Sequence, residues 1–337
     1  MMKALAIRRY KAPMEMMELP VPRPGSGDLL VRVRAASVNP VDYKIRDGSV
    51  KVLIPYSFPL ILGNDLAGDV EAVGPNVTKF KVGDAIFSRL DKDRIGAIAE
   101  YALVRESAAA KKPARLDYVQ AASLPLVGLT AWQALIDLAH LQAGQKVLIH
   151  AGSGGVGTFA IQLAKHLGAH VATTASAKNH ALVKSLGADV AIDYKTTRFE
   201  EVVRDQDVVF DTQAGETLLR SFNAIKPGGV VVTIGGRPDA KFARAWGLSL
   251  PLVLILGFLN RKVDRLARQK GVRFEYLFMH ASGEQLETIG ALLDQGVIRP
   301  IVDKTFPLEA AAEAVSYVES GRAVGKVVVR VTDQAGG

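Results

Sequence analysis

The chain has 337 residues, no cysteine, and 42 lysines and arginines against 34 acidic residues, for a formal net charge of +8. That length fits two domains, each able to bury its own core, and the lack of cysteine excludes disulfides, thiolate zinc sites, iron–sulfur clusters and a cysteine nucleophile. The positive charge is spread along the chain and forms no block, which argues against a specific nucleic-acid partner.

Met1 to Tyr10 carries too short an apolar run for a signal peptide and reads as a first strand, so a cytoplasmic protein is expected. Up to about residue 122, short β-type runs such as Leu29–Ala35, Gly68–Gly74 and Val82–Phe87 are separated by turn residues, which predicts a mostly antiparallel β domain. From Lys146 the pattern changes. Candidate strands Lys146–His150, His170–Ala175, Val190–Asp193, Asp207–Asp211, Gly228–Gly235 and Phe274–Met279 alternate with helical segments, the signature of a doubly wound parallel sheet.

The run Leu248–Leu259 is strongly apolar, but it is broken by Pro251 and Gly257 and is short for a membrane span. It reads as a dimer contact or a lid over a hydrophobic substrate in preference to an interfacial anchor, and membrane contact is not expected. Next, Arg261, Arg265 and Arg268 share a helical face opposite Val263, Leu266 and Ala267, a solvated face. Near the end, Leu308, Ala311, Ala312, Val315 and Val318 line one side of a helix, Gly321 stops it, and Lys326–Val331 forms a last strand. A lone strand needs a sheet, and the N-terminal domain is the expected host. The α/β chain is thus divided into residues 1–122 with 300–337 and an inserted domain over 123–299, with the active site expected in the cleft between them.

The most informative stretch is Lys146-Val-Leu-Ile-His150-Ala-Gly-Ser-Gly-Gly-Val-Gly157. A buried strand runs into a glycine turn and then into a helix carrying Phe159, Ala160, Leu163, Ala164 and Leu167 at helical spacing. Gly152, Gly154 and Gly157 fit G-x-G-x-x-G, whose physics suits a dinucleotide: a sharp turn, close approach of backbone N–H groups to the pyrophosphate, and tight packing of helix on strand. Ser153, Gly155 and Val156 complete the phosphate-binding turn. Cofactor choice in such folds rests on the end of the second strand, where a carboxylate selects NAD. Here the segment His170-Val-Ala-Thr-Thr-Ala-Ser-Ala-Lys178 has no acid. Ser176 and Lys178, joined by Tyr194 beyond the third strand, suit the extra phosphate of NADPH.

Over nearly its whole length the chain resembles the medium-chain dehydrogenase/reductase superfamily. The resemblance is carried by Pro59-Leu-Ile-Leu-Gly-Asn-Asp-Leu-Ala-Gly-Asp-Val-Glu-Ala-Val-Gly74, Lys81-Val-Gly-Asp84, Ala122-Ser-Leu-Pro-Leu-Val-Gly-Leu-Thr-Ala-Trp132, the glycine turn and Gly321-Arg-Ala-Val-Gly-Lys326. It implies a GroES-like catalytic domain joined to a Rossmann domain, and commonly a homodimer. Zinc alcohol dehydrogenases of this superfamily have Gly-His-Glu where this chain has Gly63-Asn64-Asp65, and the six histidines show no metal spacing, so no metal is expected. His150, at a strand end, reads as a packed core residue.

The closest likeness is to the zinc-independent quinone oxidoreductases and the plant-type NADPH-dependent enone and alkenal reductases, through Ser37-Val-Asn-Pro-Val-Asp-Tyr-Lys44, Ala175-Ser-Ala-Lys178 and Ile192-Asp-Tyr194. This resemblance implies that Asn39, Asp42, Tyr43 and Lys44 lie beside the nicotinamide, that Thr130 approaches the nicotinamide side of the cofactor, and that the loop Arg322–Gly325 approaches the phosphate end. It implies hydride transfer to an enone or quinone, with Lys44 or Tyr43 donating to the carbonyl oxygen. The alternative is an NADPH-binding regulatory or stress protein with little activity. Residues 237–271 depart from the plant enzymes and look more like a mitochondrial member of the superfamily.

Overall fold

A computed structural model describes residues 1–332. The chain forms two compact units: Met1–Leu129 together with the segment from His280 onward, and Thr130–Met279.

The second unit is built on six parallel strands, Lys146–Ile149, His170–Ala175, Val190–Asp193, Gln206–Asp211, Ile225–Thr233 and Arg273–Tyr276. Numbered in chain order, they lie across the sheet as 3-2-1-4-5-6, the doubly wound order. Leu148, Val209 and Val231 are fully buried, as central parallel strands covered on both faces must be. The helix Gly155–His166 buries Phe159, Ala160, Ile161, Leu163 and Ala164 on this sheet. The fifth strand starts three residues before the expected Gly228, because a register irregularity between Gln206 and Val208 lets Ile225 pair ahead of the glycines.

One expectation is corrected. Residues Leu250–Lys270 form a single 21-residue helix that Pro251 and Gly257 do not break. Pro251 sits in the first turn, where its missing N–H has no intrahelical acceptor to lose. A Cβ at Gly257 would lie 3.4 Å from Ala240, so the position faces the short helix Ala240–Ala245 at ordinary contact distance. The helix stops at Gly271, left-handed at φ 61°.

In the first unit the eleven-residue strand Asp28–Val38 organises a seven-stranded sheet. It pairs antiparallel with Asp65–Val73, with Tyr101–Arg105 over its first half, and with Lys326–Arg330 over its second, Val38 facing Val327. The last strand therefore joins the N-terminal sheet, and on its other side it runs parallel to Val302–Pro307. A core of Leu29, Val31, Val33, Leu66, Ile86 and Val329 lies against this sheet. Helix Gly283–Asp294 belongs to this unit, so the inserted unit ends at Met279 and not at the expected residue 299. Its Leu286, Ile289 and Leu293 are buried, and Gly283 sits so close to the Ala109 carbonyl that no Cβ fits.

Candidate active site

In the second unit the strand Lys146–Ile149 delivers the chain into the glycine turn at the carboxyl edge of the sheet, where the strand order reverses. The three glycines do different work. A Cβ on Gly152 would strike the Thr173 hydroxyl, and one on Gly157 would strike the Ala151 carbonyl oxygen and lie 2.6 Å from the Gly152 Cα. Both are packing positions. A Cβ on Gly154 would meet only the Ala151 oxygen, at 3.4 Å, so this residue borders open space. Gly154 caps the helix Gly155–His166, and the N–H groups of Gly155, Val156 and Gly157 in its first turn have no acceptor within the helix. They form the positive end of the helix dipole, ready for a phosphate.

The turn is braced by groups from the second strand and from the 3-10 turn that follows it. The Thr174 hydroxyl accepts from the Ala151 N–H at 3.0 Å, the Thr174 carbonyl accepts from the Gly152 N–H, and the Asn179 amide donates to the Ser153 hydroxyl at 3.0 Å. Asn179 was not singled out from the sequence, since only the folded 3-10 turn Ala177–Asn179 brings it across to Ser153. Ala175 pairs with Asp193 in register, so Ser176 and Tyr194 are the next residues on adjacent strand ends. Ser176 is nearly buried, Lys178 is exposed and Tyr194 is 60% exposed. Asp193, which ends the third strand, accepts from the Lys195 N–H within its own turn.

His150 is a core residue. Its ring bonds to the Thr174 and Ser221 hydroxyls at 3.2 and 3.0 Å, stacks edge-on against Phe199, and is pushed down to about 4 by burial, with the Arg220 charge adding to the shift. Thr130 is buried in helix Pro125–Trp132. A concavity of about 360 Å³ in this unit is lined by residues that include Gln145, Asp207 and Arg273. These lie at the amino ends of the strands, the wrong edge for a nucleotide.

In the first unit, Asn39 caps the helix Pro40–Arg46. The Asp42 carboxylate reaches back to the Asn39 N–H at 2.7 Å and also accepts from the Asn64 amide at 2.7 Å. Asp65 accepts from the Ser37 hydroxyl, the Asn39 amide and the Leu126 N–H at 2.8, 2.9 and 2.9 Å. Lys326 closes this buried network, donating to the Val38 carbonyl at 3.0 Å and to the Asn39 side-chain oxygen at 2.5 Å. Burial pushes Asp42 up to about 6, against the opposing hydrogen bonds from Asn39 and Asn64, and it also raises Asp65 and lowers Lys326.

The four residues expected beside the nicotinamide do not form one cluster. Asn39 and Asp42 are consumed in the network, and Tyr43 is half-buried against apolar core residues. Lys44, two residues along the helix from Asp42, is exposed. Arg322 is exposed between helix Ala311–Glu319 and the last strand, beside a shallow concavity that includes Lys304 and Tyr317. Asn64, Asp65 and Lys326 were seen in the sequence only as motif letters. A lysine opening the valine-rich strand Lys326–Arg330 is the signal that could have flagged a buried cation.

The donor set does not fit a zinc ion. Both oxygens of Asp65 are already bonded, the Asn64 amide is spent on Asp42, and the Lys326 ammonium stands 3.8 Å from Asp65. Among the described residues no group of three histidine, cysteine or acidic side chains could hold a metal.

Residues 25–114 match the model of the alcohol dehydrogenase GroES-like domain, and residues 186–329 match that of a zinc-binding dehydrogenase. The chain is 34% identical to zebrafish mitochondrial NAD(P)H oxidoreductase RTN4IP1 (Danio rerio), covering 91% of this chain and 84% of that protein. It is also 34% identical to the 2-methylene-furan-3-one reductase of tomato (Solanum lycopersicum), covering 92% and 73%. The solved structure of the quinone oxidoreductase from Coxiella burnetii superposes with a TM-score of 0.86 at 33% identity, covering 98% and 99% of the two chains. The chain belongs to the medium-chain dehydrogenase/reductase superfamily, within its quinone oxidoreductase and enone reductase branch. It is an oxidoreductase.

Proposed function

We propose that the protein is an NADPH-dependent reductase of quinones and α,β-unsaturated carbonyls that works without zinc. The observation carrying this reading is the open Gly154 position at the head of the helix Gly155–His166, combined with a second strand end that offers Ser176 and Lys178 but no acid, and Tyr194 on the adjacent third strand end. The N–H groups of Gly155, Val156 and Gly157 take the pyrophosphate, with Ser153 held against the turn by Asn179. Ser176, Lys178 and Tyr194 take the 2′-phosphate, and Thr130 and Arg322 serve the same cofactor. When bound, NADPH supplies a hydride.

A conjugated acceptor fits a protein of this make-up because its carbonyl oxygen gathers the negative charge, which a positioned donor can stabilise. Arg46 is paired with Asp47 and Glu319, so Tyr43 and Lys44 are the polar groups of the Asn39–Arg46 segment spent neither there nor in the buried network, and they fill that role in this reading. Asn39 and Asp42 hold the segment in place. The relatives' names, an NAD(P)H oxidoreductase and a 2-methylene-furan-3-one reductase, agree with it. A homodimer is supported by the strand Arg273–Tyr276, which leaves one edge of the parallel sheet open. Among the described residues no helix is long and apolar enough to cross a membrane, and a cytoplasmic setting is part of the proposal.

The test is NADPH oxidation followed with 1,4-benzoquinone and with a panel of alkenals. Steady turnover with NADPH and little with NADH is expected. Tight NADPH binding with no oxidation across the panel would replace the enzyme with a nucleotide-binding regulator.

A further inference from the structure

The outward face of the helix Leu250–Lys270 changes character halfway along. Its inward face is Val253, Asn260, Val263 and Ala267, which are buried. Leu250, Leu254, Ile255, Phe258 and Leu259 are all exposed, Leu250 at 69%. In the second half, Arg261, Lys262, Arg265, Arg268 and Lys270 are exposed in their turn. At 3.6 residues per turn, Leu250, Leu254, Phe258, Arg261 and Arg265 fall on one stripe, apolar for about 12 Å and then cationic. A contiguous apolar surface of this kind marks an interaction site.

Charge indicates what covers it. The Arg261 guanidinium lies 4.0 Å from the Phe258 ring centroid, so a cation sits at the rim of the apolar patch. Among the described residues, none of Arg261, Lys262 and Arg265 has an ion-pair partner. The helix's one carboxylate, Asp264, is half-buried to the side of the stripe. A second copy of the chain would bring the same cations and a further net charge of +8 to this face. An anionic bilayer offers what the stripe lacks, with acyl chains for the leucines and phenylalanine and phosphates at the rim for the arginines.

We propose that this face docks the protein on an anionic phospholipid surface. Leu250, Leu254 and Phe258 enter the interface, while Arg261, Arg265 and Arg268 meet the headgroup phosphates. The helix lies on the membrane and does not span it. The inference does not depend on the reaction proposed above.

The experiment is flotation of the full chain with vesicles of phosphatidylcholine mixed with phosphatidylglycerol, against phosphatidylcholine alone. Binding to the mixed vesicles, weakened by salt, is expected. Leu254→Glu/Phe258→Glu should abolish it. Arg261→Ala should weaken it about fivefold, and Arg261→Ala/Arg265→Ala/Arg268→Ala about a hundredfold, with turnover of a water-soluble quinone unchanged. The arginine variants carry the test if the double glutamate variant fails to fold. Failure of the wild type to float with anionic vesicles, or equal binding to neutral ones, would overturn the proposal. So would a wild-type dimer that Leu254→Glu/Phe258→Glu converts to monomer without any vesicle binding.

Discussion

The Lys326 ammonium sits 3.8 Å from the Asp65 carboxylate, with the two side chains 6% and 0% exposed. It also bonds the Val38 carbonyl and the Asn39 side chain, so one cation ties the last strand to the cap of helix Pro40–Arg46. Lys326→Met would leave Asp65 and Asp42 buried without their neighbouring ammonium. A loss of about 3–5 kcal/mol in urea unfolding is expected. Asp65→Asn added to Lys326→Met should recover part of it, because the uncompensated charge is then gone. A double-mutant cycle showing simple additivity would refute this coupling.

His150 sets an acid sensitivity. Its folded value is about 4 against 6.5 in the unfolded chain. Between those values the unfolded chain binds the extra proton, so stability falls as pH drops from 6.5 towards 4, by roughly 3 kcal/mol. Asp42, raised to about 6, has the opposite sign: the stability it contributes is present at low pH and lost as pH rises through 6. His150→Gln isolates the histidine. The wild type should lose stability relative to this variant between pH 7 and pH 4, and parallel pH curves for the two proteins would contradict the assignment.

The glycine turn separates folding from binding. Gly157→Ala forces a methyl into the Ala151 carbonyl and the Gly152 backbone, and a loss of about 1–3 kcal/mol in thermal unfolding is expected. Gly154→Ala meets ordinary contact at 3.4 Å. That variant should melt like the wild type yet bind NADPH at least about tenfold more weakly by nucleotide fluorescence, because in the proposed site the methyl occupies phosphate space. Equal NADPH affinity in Gly154→Ala would remove the turn from the cofactor site.

In the proposed site, Lys178→Ala and Tyr194→Phe each remove one partner for a 2′-phosphate. A charge-assisted hydrogen bond is worth about 1.5–3 kcal/mol, so KM for NADPH should rise roughly tenfold or more while KM for NADH stays level. Ser176→Asp should reverse the preference by setting a carboxylate at the end of the second strand. Equal effects on both nucleotides would show that these side chains do not read the phosphate.

Features written in local spacing were legible in the sequence. The strands His170–Ala175 and Val190–Asp193 occur at the expected residues, because alternation between buried strand and glycine or polar turn is a short-range signal. Helix Leu250–Lys270 was misread because Pro251 stands in a first turn, where a proline is harmless. The buried network was hidden for another reason. Asp42 needs Asn64, Asp65 needs Asn39, and Lys326 needs Val38, 288 positions away. No periodicity announces such partners, so Asn39 and Asp42 read as site residues and Lys326 as a motif letter.

The pairing of Val38 with Val327 also bears on how the protein emerges from the ribosome. The parallel-sheet unit, Thr130–Met279, is complete in sequence once it clears the exit tunnel. The antiparallel unit must hold Asp28–Val38 with part of one edge unpaired until Lys326–Arg330 is synthesised. During that interval the exposed strand edge is the nascent chain's point of vulnerability to self-association.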